Sequence, residues 1–103
     1  MVRRGEIRWA EHPDWPRRPA LVLTRDEAID RLSEIFVVLA TTNVRGLPTE
    51  VELGPDEGMP RRCVLNADHA DTISKGCLGE LITALGPDKL DEVCRALDRA
   101  TGC

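Results

Sequence analysis

The sequence predicts a mainly β fold with some α: a small, curled, barrel-like sheet of five or six short strands, closed by a C-terminal amphipathic helix. Three observations carry this expectation. Short β-branched and apolar runs recur as far as Leu85, separated by stretches containing proline, glycine and aspartate. Two of the runs alternate polar with apolar residues, and one is apolar almost throughout. Only the last segment repeats its apolar residues at steps of three and four.

Glu6-Ile7-Arg8-Trp9-Ala10 alternates as a half-buried strand does. His12 to Pro16 holds two prolines and an aspartate and reads as a loop. Pro19 to Thr24 reads as a second strand, with proline tolerated at its start. Asp26 to Ser33 suits a short helix or turn. Glu34 to Thr41, β-branched and continuously apolar in its middle, is expected at the centre of the sheet. After a loop from Thr42 to Pro48, Thr49-Glu50-Val51-Glu52-Leu53 alternates again. Gly54 to Pro60 is rich in turn formers, Cys63-Val64-Leu65 resumes a strand, and Leu78 to Leu85 supplies the last one. The helix opens at Gly86-Pro87, where proline fits the first turn. Leu90, Val93, Cys94, Leu97 and Ala100 share one face. Asp88, Asp91 and Glu92 lie toward the positive end of its dipole, Arg95 and Arg99 toward the negative end, and Gly102 is the expected stop.

A length of 103 residues fits one domain, 1–103, with no repeat or linker inside it. No apolar h-region follows Arg3-Arg4, and the longest apolar run, Ile35 to Ala40, is too short to span a bilayer. The expectation is a soluble, cytoplasmic protein. Cys63, Cys77, Cys94 and Cys103 show no zinc spacing and, in a reducing compartment, serve as small apolar fillers; neither metal nor cofactor is expected. The net charge of −4 disfavours a nucleic-acid partner held by bulk electrostatics, yet the charge is uneven. Residues 1–25 carry a local +3 and residues 26–60 a local −6, so a basic groove remains compatible with an acidic whole.

Taken singly, the polar residues have plain readings. Arg17 and Arg18 flank a strand, where cationic side chains discourage edge pairing. Thr41 ends a strand. Asp68, in Asn66-Ala67-Asp68-His69, is a turn former. His69 suits a solvated turn, and Trp15 is either a lid on the core or an exposed stacking surface. Composition does not choose between these and a site.

The blocks "RRGEIRWAE", "RRPALVLTRD", "VVLATTNVRGLPTEVEL" and "CVLNADHADTISKGCLGELITAL", in that order, resemble the successive blocks of the MazF/PemK family of toxins. "LDEVCRALDRATG" is similar to that family's terminal helix. The resemblance covers nearly the whole chain. It implies an SH3-like small barrel of five to seven strands, forming a homodimer that cuts single-stranded RNA without metal and is blocked by a cognate antitoxin peptide. It also implies products with a 2′,3′-cyclic phosphate and a 5′-hydroxyl. By position, Arg18 matches the family's catalytic arginine, Thr41 its catalytic hydroxyl and Asp68 an acid that some members use. His12 falls in a loop where some relatives place a catalytic histidine. Arg17, Thr42, Arg45, Asn66, His69 and Trp15 are the corresponding RNA-facing positions.

The chemistry suits those residue types. When a 2′-oxygen attacks the adjacent phosphorus, negative charge builds on the phosphoryl oxygens, and a guanidinium offers several fixed donors to it. Such preorganised donors are worth on the order of 3 kcal/mol each. Arginine stays protonated in proteins, so the base is Asp68, His12 or His69, or the role is unfilled and turnover is slow. Two departures stand out: a short loop between the first two strands, and Asp71 where many relatives carry arginine. A carboxylate there repels phosphate, while Arg45, Arg61 and Arg62 are candidates to restore positive charge. The alternatives are a gyrase poison of the same fold and a catalytically inactive member.

Overall fold

Eight apolar-rich residues in the middle of the sheet, Glu34–Thr41 (β3), organise the molecule in this computed structural model, which describes residues 1–103. Around β3 lie β1 (Glu6–Ala10), β2 (Arg18–Val22), β4 (Glu50–Leu53), β5 (Cys63–Ser74) and β6 (Leu78–Ala84). The six strands form one sheet in the order β4-β5-β3-β2-β1-β6, and every neighbouring pair is antiparallel. Two helices complete it, α1 (Asp26–Ile29) and α2 (Pro87–Thr101).

The central position of β3 follows from burial on both faces. Val38 and Ala40 point into one core with Leu21, Leu23 and Leu65, and Ile35, Val37 and Leu39 into a second with Ala20, Val22 and Ile29. A strand covered on both sides has no use for alternation, which is why its sequence runs apolar. Val37 and Val38 are completely buried, and each contributes roughly 1.5–3 kcal/mol through that burial.

The curl expected of the sheet arises where its edges approach. Thr83 in β6 donates its hydroxyl to the carbonyl of Glu57, in the loop after β4, at 2.8 Å. Gly58 lies against the same threonine with φ of +91°, and a Cβ there would stand 2.9 Å from Thr83 Cβ. Helix α2 covers the open side against β4 and β5, burying Val93 and Ala96, with Leu90, Leu97 and Ala100 packed on the same core. It begins at Pro87 and ends at Gly102, whose φ is +72°.

Four strands differ from expectation, β4 (from Glu50, not Thr49) and β6 (to Ala84, not Leu85) by a single residue. β2 starts one residue earlier, so Arg18 pairs with Ala10 inside the ladder. It also ends earlier, because the Thr24 hydroxyl takes the Phe36 N–H at 2.7 Å in place of a backbone partner. β5 runs on to Ser74 rather than stopping at Leu65. The turn chemistry of Asn66 to His69 is real but sits inside the strand. Asn66 Oδ1 accepts the Asp68 N–H at 2.9 Å, and the register steps from Ala40 opposite Leu65 to Val38 opposite Ala70. The surplus residues form a bulge that bends β5 and re-aims Asp68 and His69.

The loop between β3 and β4 is tied by one carboxylate. Glu50 accepts the backbone N–H groups of Arg45 (3.1 Å), Gly46 (2.8 Å) and Leu47 (3.2 Å). Hydrogen bonds to a charged group are worth more than neutral ones, so Glu50→Gln lowers unfolding free energy by about 1–3 kcal/mol, read from urea titration. An unchanged midpoint would contradict this role for the nest.

Candidate active site

Arg18 is fixed by the β1–β2 ladder and Thr41 by the last β3–β5 pair, opposite Val64. Both side chains wall one cleft of about 430 Å³, with Trp9, Arg17, Pro19, Thr42, Met59, Arg61 and Cys63 among its other lining residues. That volume lies in the range of small-ligand sites. No aspartate or glutamate lines this cleft.

Beyond its backbone pairing, the Arg18 side chain makes no hydrogen bond and no ion pair within the protein, so its donors are uncommitted. The Thr41 oxygen accepts the Asn43 N–H at 3.1 Å. With a lone pair so used, the hydroxyl hydrogen is free to be donated into the cleft. Thr42 is exposed on the same wall.

Arg18 also borders a second hollow of about 330 Å³, together with Trp15, Leu39, Asp68, His69 and Asp71. The two hollows have opposite character: arginines line the first and carboxylates the second. Asp68 therefore meets Arg18 from the far flank and does not share the cleft of Thr41. Its carboxylate accepts the Thr49 hydroxyl at 2.7 Å, which holds it in place. Asp71 takes the Thr72 N–H at 2.8 Å and stays exposed.

The remaining expected residues are dispersed. His12 stacks on Trp15 with centroids 4.3 Å apart, and its Nδ1 accepts the Asp14 N–H at 3.0 Å. His12 lines a shallow depression with Glu11, Pro13, Trp15 and Arg17, apart from Thr41. Asn66, expected on the RNA face, is only 4% exposed, and its Oδ1 accepts the Asp68 N–H. Arg45 is exposed on the tied loop and lines neither hollow. Arg17 pairs with Glu11 at 3.4 Å and lies over the Trp9 ring at 4.2 Å.

Sequence reasoning missed Trp9, Met59 and Cys63 as cleft residues. Alternation placed Trp9 on the core side with Ile7, but its ring is half-buried beneath Arg17. Burial pushes the Cys63 thiol up from its ordinary value, and the nearby Glu57 carboxylate adds to this. Cys63 thus stays a protonated, inert wall element. Iodoacetamide at neutral pH is expected to label exposed Cys103 first and Cys63 last, as read by peptide mass spectrometry; early labelling of Cys63 would refute this.

No three His, Cys, Asp or Glu side chains gather as a metal-holding group. No helix is long and apolar enough to cross a membrane.

A profile of PemK-like, MazF-like toxins of type II toxin-antitoxin systems matches residues 3–101. The chain belongs to that family. Among relatives of this MazF/PemK toxin, the probable endoribonuclease MazF2 of Mycobacterium tuberculosis (strain CDC 1551 / Oshkosh) is 42% identical over 103 residues, covering 99% of this chain and 100% of the relative. The solved Mycobacterium tuberculosis toxin MazF-mt6 superposes with a TM-score of 0.86 at 31% identity, covering 94% of this chain and 96% of that one. A chain of the MazE-MazF assembly (Form-II) from Deinococcus radiodurans reaches a TM-score of 0.82 at 26% identity, with coverage of 99% and 96%. The six-stranded sheet with its terminal helix is therefore the MazF toxin architecture.

Proposed function

We propose that this MazF/PemK toxin is an endoribonuclease that cleaves single-stranded RNA by attack of a 2′-hydroxyl on the adjacent phosphate. The observation that carries the reading is the pairing of an uncommitted guanidinium, Arg18, with the free hydroxyl hydrogen of Thr41 in one acid-free cleft.

The 2′-oxygen forms a bond to phosphorus and loses its proton to a base. The bond from phosphorus to the 5′-oxygen breaks, and that oxygen takes up a proton. The products are a 2′,3′-cyclic phosphate and a 5′-hydroxyl. Arg18 and Thr41 donate hydrogen bonds to the phosphoryl oxygens as their charge grows, which favours the transition state over the ground state. Asp68 and His69 share the second hollow with Arg18 and are the candidates to take the 2′-proton. Water supplies the proton that the departing oxygen takes up, since the Arg18 guanidinium keeps its charge.

The toxin works as a homodimer in the cytoplasm, where its substrate is found. It is neutralised by a cognate antitoxin peptide whose carboxylates replace phosphate at Arg18. Incubation with a long single-stranded RNA in EDTA tests the reading. Cleavage with cyclic phosphate on the new 3′ ends is expected. Intact RNA together with trapped gyrase–DNA complexes would overturn it in favour of a gyrase poison, and intact RNA without them in favour of an inactive member.

A further inference from the structure

We propose that Arg61 grips a second phosphate of the bound strand, flanking the ester held by Arg18 and Thr41. The inference rests on the endoribonuclease reading for its biological meaning, though its test does not require cleavage.

The chain contains two Arg-Arg pairs near the site, Arg17-Arg18 and Arg61-Arg62. In each pair one guanidinium is engaged and one is free. Arg17 is held by Glu11 and the Trp9 ring, and Arg62 by Glu52 at 2.5 Å. Arg18 and Arg61 have no hydrogen-bonding or ionic partner in the protein, and both line the same cleft. Two unpaired cations facing a hollow without any carboxylate repel one another, a cost that an incoming anion removes. One bound phosphate neutralises a single charge; the pair of free guanidiniums matches two successive phosphates of one strand.

The loop that carries Arg61 is built to hold it still. The Glu57 carboxylate accepts the Gly54 N–H at 2.6 Å. Gly58 takes up φ of +91° against Thr83, and Met59 is buried to 4% exposure. Cys63 then enters β5 beside the core. Arg61 is thus presented between two anchors and on the cleft wall, which Arg45 does not line.

The test is binding of a short, fluorescein-labelled, 2′-O-methylated RNA, which cannot be cleaved by its own 2′-oxygen. Anisotropy titrations over roughly 50–200 mM salt would compare the unmodified protein with Arg61→Gln and Arg62→Gln. Arg61→Gln is expected to weaken binding about tenfold at the lowest salt and to flatten the log–log salt dependence by ~0.7, the loss of one single-strand phosphate contact. Arg62→Gln keeps the original slope. With a cleavable substrate, the same Arg61→Gln loss should fall on KM, and a dinucleotide carrying only the scissile phosphate should be cut equally by both proteins. The proposal is overturned by an unchanged salt slope in Arg61→Gln, by an equal loss on the dinucleotide, or by a defect confined to antitoxin binding. Absence of cleavage by the unmodified protein would sink the nuclease reading instead, and the anisotropy slopes would still decide the role of Arg61.

Discussion

Replacing Arg18 by alanine lowers kcat/KM for RNA cleavage by about 10²–10³-fold, the loss expected for one preorganised donor to a developing oxyanion. The fold should be indifferent to the change. No protein group hydrogen-bonds to the Arg18 side chain, so nothing inside the molecule is left unsatisfied when it is removed. The backbone pairing with Ala10 is unaffected by truncation beyond Cβ. Circular-dichroism melting alongside steady-state kinetics separates the two effects. Arg18→Lys keeps the charge but loses the planar fork, and it should recover only part of the lost rate. Wild-type turnover in Arg18→Ala would remove this residue from the chemistry.

Gly58→Ala is the substitution expected to damage stability most among the loop glycines, by about 2–6 kcal/mol in urea unfolding. Two costs combine. A residue with a Cβ is strained at φ of +91°, by about 1–3 kcal/mol. The added carbon also collides with Thr83, a branched side chain on a strand that cannot simply swing aside, which costs a further ~1–3 kcal/mol. Relieving that collision breaks the hydroxyl bond from Thr83 to Glu57, the link between the loop after β4 and β6. Gly86→Ala is the contrast: its φ is −76° and no atom lies within 4 Å of the new Cβ, so the change should cost at most about 1 kcal/mol. Equal midpoints for the two variants would refute the argument.

Elements whose residues are dictated by burial were legible before any coordinates. The bounds of β1 and β3 follow the alternation of Glu6 to Ala10 and the apolar block of Glu34 to Thr41. Proline at the start and glycine at the end likewise bound α2. Local signals misled at β5, because Asn66 and Asp68 satisfy a turn motif that the strand absorbs as a bulge. Pattern reasoning has no term for a turn held open by pairing on both sides. The same limitation hid the fate of Asn66, whose side chain faces inward.

At the site, residue type and motif order pointed to Arg18 and Thr41, and the ladder brings them to one cleft. His12 was ambiguous for a physical reason. Its ring could serve chemistry or local packing, and here it stacks on Trp15 and takes the Asp14 N–H. Arg61 and Arg62 are indistinguishable neighbours in the sequence. Only Glu52 on the facing strand tells them apart, by claiming one and leaving the other.

Standing between two hollows, Arg18 acts as a watershed. Every ester along an RNA strand is chemically alike, so the residue that attacks none of the bases cannot by itself choose where to cut. On the nuclease reading, the carboxylates on one slope turn phosphate away and the cations on the other draw it in, so the choice of linkage falls to whatever holds the bases around this side chain.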